Sequence, residues 1–234
     1  AKSWPGQRKG RKMEHGDVRK VLDQIKGQEV FEKNMKRPDC VILDSEYCSM
    51  GRMVAVKACE GTAYTYYDAS LLLDLLPEER EQKEKILEYD AVLAGWRGTA
   101  QELAEDPEFQ RISGIYRKAV KAALEKGPCL IHERGIREDV EAMGYSCLSA
   151  ITYGTVQENK RIRARVTPDY AGLETDGELD QIIAAEDKKR RLYHDGLSRK
   201  PWGAKETYDL CVNTEILGKE TGIRLLRLLL TGEN

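Results

Sequence analysis

The chain has 234 residues, of which 41% are hydrophobic and 33% charged, and its formal net charge is −2. This composition describes a globular protein with a well-solvated surface, long enough for one large domain with a smaller appendage. It excludes a membrane-spanning helix, because no apolar run approaches ~20 residues and Arg227 interrupts the longest, Leu225 to Leu230; the near-neutral charge gives no global pull toward nucleic acid.

Residues 1–12 carry Lys2, Arg8, Lys9, Arg11 and Lys12 among glycine and proline, which predicts a flexible basic tail. No apolar core follows it, so it is not expected to act as a secretory leader. Val18, Val21, Leu22 and Ile25 recur at helical spacing, and Pro38 ends that segment. Residues 1–38 are therefore read as an appendage and 39–234 as the main domain. Residues 39–44 are a short apolar run bounded by aspartates, read as a buried strand, and residues 51–60 suit a helix stopped by Gly61. A short strand is expected over 65–67. Helices are expected over 70–76, 78–95 and 108–126, the last from apolar residues at 109, 112, 115, 116, 119, 120 and 123.

Gly127-Pro128 breaks the chain before a strand at 129–133. A short helix at 139–143 and a strand at 147–153 come next. Residues 157–166 are strongly basic, with Lys160, Arg161, Arg163 and Arg165, and a charged helix is expected over 175–195. A last strand at 209–213 and an amphipathic helix over 216–230 close the chain. Short apolar strands alternating with helices indicate an α/β fold with a central parallel sheet covered on both faces. Ligands on such a sheet bind at the carboxyl ends of its strands.

The six cysteines (Cys40, Cys48, Cys59, Cys129, Cys147 and Cys211) include no C-x-x-C pair, and the histidines are His15, His132 and His194. That spacing excludes an ordinary zinc site, so no metal ligands are assigned. Reduced, mostly buried thiols and a cytoplasmic location are expected.

Three stretches resemble the cytidylate kinase-like family, a branch of the nucleoside monophosphate kinases with a P-loop fold. The first is S-E-Y-C-S-M-G-R at 45–52, similar to the family's S-R-E-Y-G-S-G-G-R. The second is G-P-C-L-I-H-E-R-G at 127–135. The third runs from E-D-K-K-R-R-L-Y at 186–193 through K-P-W-G at 200–203 to Y-D-L-C-V-N-T at 208–214. The resemblance spans about residues 39–230. It implies a three-layer α/β/α P-loop NTPase-like fold with a helical lid near 155–175. The implied reaction is transfer of the ATP γ-phosphoryl group, with Mg²⁺, to a pyrimidine monophosphate such as CMP.

The same resemblance assigns roles to residues. Tyr47, Cys48, Ser49, Met50, Gly51, Arg52 and Met53 stand in the phosphate-binding loop, with Arg52 on the donor phosphates. Arg134 stands at the acceptor clamp. Arg161 and Arg190 hold the moving phosphoryl group, and Asp187 aligns Arg190. Trp202 and Tyr208 are read as fold anchors, and Asp209 and Asn213 as possible supports of the adenine-side loop.

A phosphate-binding loop needs successive backbone N–H groups converging on an anion at a helix N-terminus, and glycines permit that path. Here Glu46, Cys48 and Met50 stand at glycine positions and Met53 at the metal-contacting hydroxyl. The rival reading is thus a catalytically degenerate descendant, a nucleotide sensor or assembly module. Nucleotides are the expected partners, with no membrane and no nucleic acid, although the basic tail leaves RNA binding as a third reading; an oligomer is compatible with the sequence. Deleting residues 1–12 is expected to leave the melting temperature nearly unchanged, and a large drop in a thermal melt would make the tail part of the core.

Overall fold

The sheet is built outward from its most apolar strand. In the computed structural model, which describes residues 37–133, 136–167 and 175–232, β1 (Cys40–Ser45) is buried along its whole length. Parallel neighbours flank it, β3 (Cys129–His132) on one side and β4 (Cys147–Tyr153) on the other. β2 (Thr65–Tyr67) and β5 (Leu210–Asn213) form the edges, giving the order β2-β3-β1-β4-β5 with every pairing parallel. The expected α/β architecture with a central parallel sheet is present. The expectations for the tail at 1–12, the helix within 15–36 and Arg134 lie outside the described residues.

Alternation along β1 divides the core in two. Val41 and Leu43 face α1 (Gly51–Cys59) and the closing helix α10 (Lys219–Thr231), packing on Val54, Ala55, Ala58, Leu226 and Leu230. Cys40 and Ile42 face the other layer, where α5 (Pro107–Lys126) presents Ile112, Tyr116, Ala119, Val120 and Ala123. That layer also holds α2 (Ala69–Leu73), α3 (Lys83–Gly95) and α4 (Ala100–Glu105). Cys40, Cys59, Cys129 and Cys147 are buried, Cys48 is half-buried and Cys211 exposed, all as free thiols.

The helix expected over 70–76 ends at Leu73, and three further departures from expectation have local reasons. The helix expected over 78–95 begins as a 3₁₀ turn, Pro77–Gln82, that buries no side chain; its polar run has nothing to anchor a full α turn. The helix expected over 216–230 is split by Gly218 at φ 76° into α9 (Thr214–Leu217) and α10. α4 was not expected, although its Thr99–Glu102 capping box is a legible start signal. The short helix near 139 is α6 (Arg137–Ala142). The basic stretch forms α7 (Gln157–Arg165), and the charged helix is α8 (Asp176–Leu197), 22 residues long behind a Thr175–Glu178 capping box. No described helix is long and apolar enough to cross a membrane.

A buried polar cluster joins α8 to β1. Tyr208 donates its hydroxyl to Asp44 Oδ2 at 2.7 Å, and His194 Nδ1 lies 2.9 Å from the same oxygen. His194 Nε2 meets the Lys200 carbonyl at 3.1 Å. Trp202, also buried, is held by Asp195, which accepts its backbone N–H at 2.6 Å. Trp202 and Tyr208 are thus placed as anchors, covering Ile151.

Burial, the largest single influence, lowers the His194 pKa, but the bond to and charge of Asp44, with Asp195 and the Lys200 carbonyl, together outweigh it and the net shift is upward. A histidine whose folded pKa is raised contributes stability that is complete below its unfolded value of about 6.5 and is lost as pH rises through the folded value. The melting-temperature advantage of the wild type over His194→Gln should therefore be larger at pH 6 than at pH 8.5. Equal differences at both values would show that Asp44 does not hold a charged imidazole.

Candidate functional site

Between the end of β1 and Gly51 the chain reverses within five residues, at the carboxyl edge of the sheet. Cys48 and Met50 both adopt φ 63°, the left-handed region, on either side of buried Ser49. Left-handed residues in alternation are also found in backbone anion nests, and here the Ser49 N–H between them donates to Glu46 O at 3.1 Å. The N–H groups of Gly51, Arg52 and Met53 belong to the first turn of α1, where an α-helix leaves its donors without carbonyl partners and favours negative charge. Gly51 is required by space: a Cβ there would lie 2.4 Å from Ser45 Cβ and 2.8 Å from Thr152 Oγ1.

Left-handed backbone costs a non-glycine residue about 1–2 kcal/mol, so the neighbours must impose it. Ser49 Oγ meets Thr152 O at 3.0 Å and Thr152 Oγ1 at 2.9 Å. Thr214 Oγ1 donates to Ser49 O at 2.8 Å, and Arg163 to Cys48 O at 2.7 Å. The Cys48 side chain points away from the loop interior. With Tyr47 it packs on Ala164, Leu179 and Ile183 of α7 and α8, where burial pushes its thiol up to about 11. Glu46, at the place of a first glycine, accepts from Gly154 N at 3.2 Å and from the buried Lys160 Nζ at 2.6 Å.

Above the loop lies a cleft of about 670 Å³, lined by the loop, Arg52, Met53, Val56, Lys57, His132, Arg163, Thr167 and Arg190. A second hollow of about 320 Å³ adjoins it, walled by Asp68, Ser70, Leu87 and Glu133, with Arg52, His132 and Arg190 shared between the two. Among the described residues no group of three or more His, Cys, Asp or Glu side chains converges to hold a metal.

The sequence-predicted residues are distributed as follows. Arg190 stands at the centre: it donates to Ser45 O at 2.8 Å and Ser45 Oγ at 3.0 Å, and its guanidinium lies 5.4 Å from the Tyr47 ring centroid. Asp187 accepts the Tyr47 N–H at 2.6 Å; burial raises its pKa against the pull of that bond and of Lys160. Arg52 sits at the cleft mouth, largely exposed, and pairs with Asp68 at 2.7 Å. Arg161 turns away, held at 2.7 and 2.6 Å by both oxygens of Asp180, whose pKa it lowers to about 2. Asp209 accepts from Arg137 and Ser149, and Asn213 caps α9.

Three residues without an assigned role reach the site, Lys57, His132 and Glu133, and Arg163 reaches it in place of Arg161. Lys57 was legible, since 53, 56 and 57 share one face of a helix that starts at the loop. Arg163 was one of three basic candidates separated only by helical phase. His132 is buried at the end of β3, Nε2 3.1 Å from Ser45 Oγ and Nδ1 3.3 Å from Tyr66 OH, and burial lowers its pKa. Glu133 follows it at φ 67°.

No protein-family model matches the chain, and no curated relative matches it. Among solved structures, an uncharacterized protein from Eubacterium ventriosum aligns with a TM-score of 0.58 and 20% identity, over 83% of this chain and 99% of that one. A shikimate kinase from Acinetobacter baumannii, in complex with shikimate, aligns at 0.45 with 11% identity, over 88% and 98%. A shikimate kinase from Bacteroides thetaiotaomicron aligns at 0.46 with 15% identity, over 82% and 97%. At these identities the first likeness describes a shared fold, and no activity is carried across from any of the three.

Two substitutions test the loop geometry. Gly51→Ala should destabilise by about 1–3 kcal/mol through overpacking. Met50→Gly should stabilise by up to ~1 kcal/mol by releasing the left-handed penalty. Denaturant unfolding measures both, and an unchanged Gly51→Ala midpoint would mean that α1 does not approach β1 this closely.

Proposed function

We propose that the loop at 46–53 binds the phosphates of a nucleoside triphosphate and that the chain is a phosphotransferase of cytidylate kinase-like type. ATP is the donor and, on the resemblance alone, a pyrimidine monophosphate such as CMP the acceptor. One observation carries the reading: Cys48 and Met50 keep the left-handed turns of a phosphate nest without glycine. Neighbouring side chains hold a strained conformation that an ordinary turn would not need.

Phosphoryl transfer asks a protein mainly for positioning and for positive charge around the moving group. The loop N–H groups would seat the donor phosphates. Arg163 and Arg190 flank them from the lid side and from α8, with Arg52 at the mouth. Asp187 holds the Tyr47 N–H and so orients the start of the loop. For Arg161 to serve the moving group, as the resemblance implies, it would have to leave Asp180. Met53 offers no hydroxyl to a metal, and no carboxylate cage is present among the described residues, so these residues do not fit a protein-held Mg²⁺. The ion would come with the nucleotide's own phosphates, and no step is assigned to it.

The rival, a nucleotide sensor or assembly module, is favoured by one feature. The cation at the P-loop lysine position, Arg52, is drawn to Asp68 rather than to the nest. Binding without turnover would establish that reading.

Arg163→Ala and Arg52→Ala should each weaken ATP binding at least tenfold, about 1.4 kcal/mol, while Arg161→Ala changes it less than twofold. Titration calorimetry with MgATP measures all three. A loss at Arg161 equal to that at Arg163 would reverse the assignment of the lid arginine. No ATP binding by the wild type, nor by a variant with glycine restored at Cys48 and Met50, would make the loop a plain turn.

A further inference from the structure

Glu215 follows β5 at the start of α9, and only 1% of its side chain is exposed. Burying a carboxylate is costly unless hydrogen-bond donors and a cation meet it. Both come from the segment that leads into and forms α7. Oε2 accepts the N–H of Val156, the N-cap of α7, at 2.5 Å. Oε1 lies 3.6 Å from Arg163 Nη1. Backbone closes over the carboxylate as well, since a Cβ at Gly154 would lie 2.8 Å from Glu215 Cδ.

The pairing bears on which arginine of α7 reaches the cleft. Successive helical residues turn by about 100°, so Arg161 and Arg163 point in nearly opposite directions. Each has its own carboxylate. Asp180 holds Arg161 with both oxygens, and Glu215 stands beside Arg163. The same Arg163 nitrogen donates to Cys48 O at 2.7 Å. Held between a loop carbonyl and a buried carboxylate, that nitrogen sets the direction of the guanidinium, which lines the cleft. A planar fork aimed before its ligand arrives loses less freedom on binding. Glu215 also fixes the point where α7 begins, about two helical turns before Arg163, and with it the phase of the helix.

Resting on the reading of the cleft as a nucleotide phosphate site, we propose that Glu215 is a positioning residue for ATP, aiming Arg163 at the donor phosphates from outside the cleft. By charge alone a carboxylate beside that site opposes an anion. Its benefit therefore passes through Arg163. Removing the carboxylate charge weakens ATP binding while Arg163 is present and leaves it unchanged once Arg163 is gone.

A double-mutant cycle on the full chain tests this, with MgATP binding followed by titration calorimetry. Glu215→Gln keeps an oxygen for the Val156 N–H and loses the charge. It should weaken binding at least fourfold in the wild-type background and less than 1.5-fold in the Arg163→Ala background. Glu215→Asp, which keeps the charge on a shorter arm, should lose less than the glutamine variant. If Glu215→Gln fails to fold, the cycle is run with Glu215→Asp, expected to weaken binding at least twofold only when Arg163 is present. Equal losses in both backgrounds would make Glu215 a structural support of the hinge and overturn the inference. Tighter binding by Glu215→Gln would overturn it too, as would unfolding of both variants. In each of these cases wild-type ATP binding stands, whereas no ATP binding by the wild type would remove the nucleotide reading beneath.

Discussion

The close return of α1 onto β1 is the constraint on which the site depends. Gly51 packs where even a methyl group would collide with Ser45 and Thr152. With no room to open outward, the preceding residues must turn sharply, and Cys48 and Met50 take the left-handed conformation. The same closeness aims the first turn of α1 at the cleft. One glycine, placed by volume, thus does what several glycines do by conformational freedom in a more ordinary loop.

Around that loop the charges are paired internally. Lys160 is buried against Glu46, Asp187 takes a backbone N–H, and Arg190 is shared among Ser45 and Glu133. Removing one partner from such a set leaves a poorly solvated charge, which costs more than the pair contributes. The network therefore gives the site one arrangement rather than added stability. It also ties α7 and α8 to the loop through the same side chains.

Much of the fold was legible because it follows from short-range rules. β2 and β4 fall on the residues expected. β1, β3 and β5 agree within a residue at either end, because apolar runs of four to seven residues between polar boundaries have few other uses. Helix ends were less legible: the break at Gly218 and the 3₁₀ start at Pro77 depend on what each segment packs against. The loop's place, directly after β1, was also legible. Its shape was not, since Cys48 and Met50 are poor candidates for positive φ on their own.

What the sequence determined by itself was the order of strands and helices, the apolar core and the edge of the sheet where a ligand can bind, because periodicity and chain order carry that information. Only the tertiary structure decided which charged groups line the cleft beside the loop. Arg161 and Arg163 are two residues apart and nearly opposite around a helix, so one is held by Asp180 and the other reaches the Cys48 carbonyl. His132 and Glu133 gain their partners from Ser45, 87 and 88 positions earlier in the chain, and Glu133 also from Arg190, 57 positions later. Composition cannot encode such meetings; they arise when parallel strands bring their carboxyl ends to one edge and a long helix crosses above them.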